Sequence, residues 1–113
     1  PFIFSEGFMK NRLSLHEMQK ILSENAARNY RLDSHKGRIN LSKDADFVFI
    51  DPLEKTKVDQ EKLHSKGKYT PFHDRVFKCR IEKIILRGNV IIDHTNLLVD
   101  PGFGSYYKSS SIT

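Results

Sequence analysis

Lys36-Gly37-Arg38-Ile39-Asn40-Leu41-Ser42-Lys43-Asp44-Ala45-Asp46-Phe47-Val48-Phe49-Ile50-Asp51 is the stretch whose reading decides the fold. Helical patterning precedes it and strand patterning follows it. Gly37 ends the helical part, because a residue without Cβ enters left-handed backbone cheaply. Phe47-Val48-Phe49-Ile50 is a continuous apolar run, which reads as a short strand buried on both faces. Asp51-Pro52 stops that strand, since proline donates nothing to a ladder. Ser42-Lys43-Asp44-Ala45-Asp46 reads as a polar turn whose side chains bond local backbone. Asp44 and Asp46 are also the pair one would test as general acid and base or as metal ligands. No histidine accompanies them, and the turn reading is favoured.

Upstream, Ser14-Leu15-His16-Glu17 has the form of a capping box, S-x-x-E. Met18, Ile21, Leu22 and Ala26 follow at helical spacing, which predicts an amphipathic helix over 14–30 with that stripe facing inward. Leu13 is placed to pack onto Met18. Before the cap, Pro1-Phe2-Ile3-Phe4 is apolar without an initiating Met, as though a buried element were ending there. This predicts that the chain is a fragment.

Downstream, Lys55 to Val58 reads as a surface strand and Asp59 to Leu63 as a helical turn with Leu63 facing in. Ile81 to Leu86, the turn Arg87-Gly88-Asn89 and Val90 to Ile92 predict a hairpin. Leu97 to Tyr107 reads as loop with bulky anchors, and 108–113 as a frayed tail. One hairpin, one or two further strands and a leading helix do not make a comfortable self-contained core.

Composition narrows the function. The chain has 113 residues, 38% of them hydrophobic, with a net charge of +5. Its basic residues are interspersed with acidic ones, which argues against nucleic-acid binding. No apolar segment is long enough for a membrane span, and no signal-peptide pattern is present, so a soluble cytoplasmic protein is expected. The single cysteine, Cys79, is expected to be a half-buried strand residue rather than a nucleophile. The histidines are His16, His35, His64, His73 and His94, with no H-x-H or H-E-x-x-H spacing. Phosphate-binding and nucleophile-elbow motifs are absent as well. His73-Asp74 could be a base with its orienter, but neighbours on an extended segment should point apart. Spacing therefore assigns no catalytic, substrate-binding or metal-binding residue.

The order of features nonetheless resembles a known family. S-E-G-F-M-K-N-R-L-S, S-E-N-A-A-R and K-G-R-I-x-x-x-x-D-A-D-F-V-F-I-D-P are similar to the end of the amidohydrolase superfamily, in its cyclic amidohydrolase branch. Lys66 to Phe72, the hairpin I-x-K-I-I-L-R-G-N-V-I-I-D and Val99-Asp100-Pro101-Gly102-x-Gly104 most resemble the allantoinases; dihydroorotase and dihydropyrimidinase (hydantoinase) are the alternatives. There are two departures. Asn25-Ala26-Ala27 stands for the usual Asn-Pro-Ala. His73-Asp74-Arg75 stands for x-Gly-Arg, so that turn must do without its glycine.

The resemblance implies an α/β enzyme, a TIM-like (β/α)8 barrel with a flanking β-sandwich. It implies that 1–35 is the end of the barrel, with its last helix at 14–30, and that 36–107 is the carboxyl-terminal part of the composite sandwich. The family's two-zinc centre uses an H-x-H pair, a carboxylated lysine, two further histidines and an aspartate. None of these matches a position here, so the segment is expected to be inactive scaffold. The intact enzyme implied is a cytoplasmic homo-oligomer, a tetramer, that hydrolyses allantoin to allantoate in purine catabolism. Its expected partners are the remaining barrel and amino-terminal strands and a small cyclic amide. A non-catalytic, amidohydrolase-like assembly module is the alternative from another class.

Overall fold

The computed structural model describes residues 1–109. Four of the six residues of the expected frayed tail, 110–113, lie outside them.

The chain opens with a π-helical segment, Ile3–Phe8, that buries Phe4, Ser5 and Gly7. The expected capping box is present: Ser14 Oγ accepts from the Glu17 N–H, and the Glu17 carboxylate accepts from the Ser14 N–H. It starts α1 (Leu15–Gln19), which continues through a π-helical turn, Lys20–Glu24, into α2 (Asn25–Asn29). The predicted inward stripe is corrected here. Ile21 and Leu22 are 50% and 55% exposed, Ala26 is also exposed, and the buried positions are Glu24 and Ala27. A π turn inserts an extra residue into the helical repeat, which moves the inward position from Ala26 to Ala27. Spacing rules that assume a constant period miss such a shift.

β1 (Phe47–Asp51) follows the seam and ends before Pro52 as expected. β2 (Thr56–Lys57) pairs antiparallel with β3 (Val76–Phe77) in a small separate ribbon. Between them Asp59 caps a 3-10 turn, Gln60–Lys62, and Leu63 is half-buried. β4 (Arg80–Leu86), β5 (Asn89–Asp93) and β6 (Asn96–Leu97) complete a four-stranded antiparallel sheet in the order β1-β4-β5-β6. β6 lies partly in what reads as loop, since two residues carry no strand pattern.

The β4–β5 turn uses Arg87 at φ 46 and Gly88 at φ 79, the paired positive dihedrals of a type I′ hairpin. Leu86 therefore pairs with Asn89. Register slips leave Glu82 without a partner on β1 and Ile91 without one on β4.

β1 is an edge strand, which corrects the reading of its apolar run as doubly buried. Val48 and Phe49 are 56% and 49% exposed. The run shows that both faces are apolar; it does not say what covers them. Every residue of β4 is only half-buried, although β4 is an inner strand. Among the described residues the buried apolar set is Phe4, Ala27, Phe77 and Cys79.

Ala27 packs beside Gly37 at the helix exit, and the other three lie where the first helical segment meets the ribbon. Phe2, Phe72 and Phe77 form a mutual ring cluster with centroids 5.2 to 6.0 Å apart. Ser5 Oγ accepts from the Lys78 N–H at 3.0 Å, and Thr56 Oγ1 donates to the Cys79 carbonyl at 2.7 Å. Cys79 is fully buried in the link between β3 and β4, rather than half-buried on a strand.

Two backbone positions yield predictions. Gly37 has φ 94, and a Cβ built there would sit 2.6 Å from the Ala27 Cβ. Gly37→Ala combines backbone strain with overpacking and is expected to lower stability by about 2–4 kcal/mol, read from the denaturant midpoint. Asp74, at the turn that does without its glycine, takes φ 63. Asp74→Gly relieves that strain and loses only exposed contacts, to Lys57 and His73. Its denaturant midpoint should stay close to the parent's, whereas Asp74→Ala should fall below both.

Candidate functional site

The densest polar constellation is the seam itself. Lys36 Nζ lies 2.6 Å from Asp44 Oδ2 and 2.5 Å from Asp46 Oδ2, with the lysine side chain largely buried. The other oxygen of Asp46 accepts from the Arg87 backbone N–H at 2.8 Å. Asp44 accepts from the Tyr107 hydroxyl. Backbone bonds fix the frame: the Asp44 N–H donates to the His35 carbonyl, and the Gly88 N–H donates to the Ala45 carbonyl. Arg87 donates to the Phe103 carbonyl at 2.9 Å and lies over the Phe103 ring. Lys36 also sits 4.5 Å from the Tyr107 ring centroid.

This arrangement binds charges rather than moving protons. The bond from Lys36, and then that from Tyr107, holds the Asp44 carboxyl below its usual range. Burial pulls the Lys36 ammonium down, but its bonds to Asp44 and Asp46 outweigh this and leave it raised. The bond to Asp44 pushes the Tyr107 phenol up. A depressed acid, a raised amine and a raised phenol each keep their resting protonation at neutral pH, which disfavours proton exchange. Asp44 and Asp46 thus act as turn and seam residues. Their partners Lys36 and Tyr107 were not legible in the sequence; Tyr107 is 63 positions from Asp44.

A second cluster joins the helix to the loop after it. Glu24 is 6% exposed, and its Oε1 accepts from Arg28 at 2.9 Å and Arg38 at 2.5 Å. The Arg38 bond, against burial, holds the Glu24 carboxyl below its usual range. The shallow cleft around it is lined by Arg28, Lys36, Arg38 and Lys43 together with Glu24 and Asp33. Lys43 donates to the Asp33 carbonyl and Lys36 is held by Asp44 and Asp46. The lining thus carries four cations against two carboxylates, and Asp44 and Asp46, outside the cleft, offset the difference through Lys36.

His73 and Asp74 were expected to point apart, and this is corrected. His73 Nε2 lies 3.5 Å from Asp74 Oδ2. The left-handed backbone of Asp74 breaks the alternation on which that expectation rested. The pair still makes a poor base. His73 Nδ1 accepts from the Gln60 N–H at 3.2 Å, so in the neutral ring Nε2 carries the proton, and no lone pair is left over. Lys57 holds Asp74 from the other side at 2.8 Å.

His94 pairs with Glu82 at 2.5 Å on an exposed edge. The Cys79 thiol is pushed up by burial, the opposite of a reactive thiolate. Among the described residues no three His, Cys, Asp or Glu side chains come together as a metal would require.

No family model matches the chain. It is 42% identical over 91 residues to "Allantoinase" of Escherichia coli O139:H28, an overlap covering 80% of this chain and 20% of the relative. The same figures hold for "Allantoinase" of Salmonella newport. Among solved structures, L-hydantoinase (dihydropyrimidinase) from Arthrobacter aurescens matches with a TM-score of 0.88 at 30% identity, over 93% of this chain and 23% of that one. D-hydantoinase from Bacillus sp. AR9 matches with a TM-score of 0.89 at 28% identity, over 99% and 24%. The chain spans about a fifth of the length of the curated relatives it matches. No helix among the described residues is long and apolar enough to cross a membrane.

The seam predicts an acid response. Because the folded Asp44 carboxyl is depressed, its contribution is complete above the ordinary carboxylate range and is lost as pH falls through the folded value. Asp44→Asn removes that titration. Its stability should therefore fall less steeply than the parent's on acidification below about pH 4, measured as unfolding midpoint against pH.

Proposed function

We propose that this chain, related in sequence to the allantoinases and in fold to the hydantoinases, is the carboxyl-terminal scaffold of a cyclic amidohydrolase that converts allantoin to allantoate. The observation that carries the reading is the 42% identity over 91 residues to allantoinases. In the reaction water adds to a ring carbonyl, the ring C–N bond breaks and the released nitrogen takes a proton. The enzyme is assigned to cytoplasmic purine catabolism and to a homo-oligomer, a tetramer.

Residues 1–35 are assigned to the end of the (β/α)8 barrel and 36–107 to the composite β-sandwich. The uncovered apolar surfaces support this division. Ile21 and Leu22 are half exposed on the helix, and Val48 and Phe49 on an open sheet edge. Fully burying one such side chain contributes about 1.5–3 kcal/mol, so the rest of the barrel and the amino-terminal strands are the natural cover.

The two zinc ions of the proposed enzyme do not fit this segment. Its described residues gather no ligand set, and Asp44 and Asp46 are already committed to Lys36. The metal centre is accordingly assigned to the remaining four-fifths of the enzyme.

A second reading, hydantoinase or dihydropyrimidinase, is favoured by the TM-score of 0.88 to the Arthrobacter enzyme. Parallel assays of the intact protein on allantoin, hydantoin, dihydrouracil and dihydroorotate separate the two. The highest kcat/KM is expected on allantoin. A higher value on dihydrouracil or hydantoin replaces the first reading with the second, and a higher value on dihydroorotate replaces both. No turnover of any of them, with zinc supplied, leaves the assembly module. The 113-residue chain alone is expected to turn over none of the four.

A further inference from the structure

The segment after β6 returns to the seam, and neither its loop-like sequence nor the proposed reaction explains why. Arg87, at the hairpin turn, donates to the Phe103 carbonyl at 2.9 Å and covers the Phe103 ring at 5.5 Å. Four residues on, the Tyr107 hydroxyl donates to Asp44. The Tyr107 ring packs edge-on against His35 at 5.8 Å and receives the Lys36 ammonium on its face at 4.5 Å. Tyr107 is half-buried, whereas its neighbour Tyr106 is 92% exposed. Two aromatic anchors are therefore seated, with an exposed chain on either side of the second.

We propose that Phe103 to Tyr107 is a strap that fastens the hairpin turn at Arg87 to the helix-exit loop at His35-Lys36, with the Tyr107–Asp44 bond as its buckle. The strap bridges two elements that the seam also joins. Asp46 reaches the Arg87 N–H and Ala45 reaches Gly88, so the same turn is held from the seam side and from the tail side. The far end of the segment thereby fixes how the sheet is set against the helix. This inference does not depend on which cyclic amide is hydrolysed, or on whether any is.

Limited chymotrypsin digestion of the intact protein tests it, reading cleavage after the exposed Tyr106 by mass spectrometry. Recognition of Tyr106 needs no side-chain movement, so the rate reports release of the strap backbone. Tyr107→Phe keeps the ring and removes the hydroxyl. It should raise the cleavage rate roughly 10-fold at neutral pH, the scale of a hydrogen bond to a charged group. Asp44→Ala should raise it at least as much, and the double variant no further than Asp44→Ala, because both changes remove the same bond. A Tyr107→Phe rate within about twofold of the parent overturns the proposal, since a bond of that scale would be absent. Additive effects in the double variant overturn it as well. Should Asp44→Ala fail to fold, the comparison of Tyr107→Phe with the parent decides alone.

Discussion

A single ammonium holding two carboxylates organises this segment. Lys36 has left most of its water behind, and such a charge stays folded only if its partners make up the loss. Asp44 and Asp46 do so within one short turn, and each then spends its second oxygen or second contact elsewhere. Asp46 takes the backbone of the hairpin turn, and Asp44 takes the tail. The helix exit, the entry to β1, the β4–β5 turn and the tail thus converge on one charged point. Breaking one partner leaves an uncompensated charge for the others to share, which is why the seam behaves as a unit.

Local features were legible in the sequence because local chemistry sets them. Ser14 and Glu17 cap a helix by reaching three residues, and Arg87-Gly88 makes a hairpin turn by its own dihedrals. Pro52 ends β1 for want of an N–H. Relations between distant segments were hidden. Nothing at Tyr107 signals Asp44, and nothing in Phe47–Ile50 says that β1 is an edge strand. The π turn at Lys20–Glu24 moved the buried face to Ala27 without any residue that announces it. Asp74 takes a left-handed backbone, which breaks the alternation that would have separated it from His73.

The candidate site teaches the same lesson from the side of chemistry. Paired acids, a histidine beside an aspartate and a lone cysteine are the residues that catalysis uses. Here each is spoken for: the acids by Lys36, His73 by the Gln60 N–H, and Cys79 by complete burial. Among the described residues no buried side-chain nitrogen or oxygen lacks a partner, and what stands uncovered is apolar. Ile21, Leu22, Val48 and Phe49 face outward beside a core of four buried apolar residues among those described. Paired buried polar groups beside open apolar faces support the proposed scaffold role.

Calorimetry of the 113-residue chain alone, with a dye that reports exposed apolar surface, tests that claim most directly. The account predicts dye binding and a broad transition with a van't Hoff enthalpy that disagrees with the calorimetric one. A sharp two-state transition of a monomer that binds no dye would contradict it.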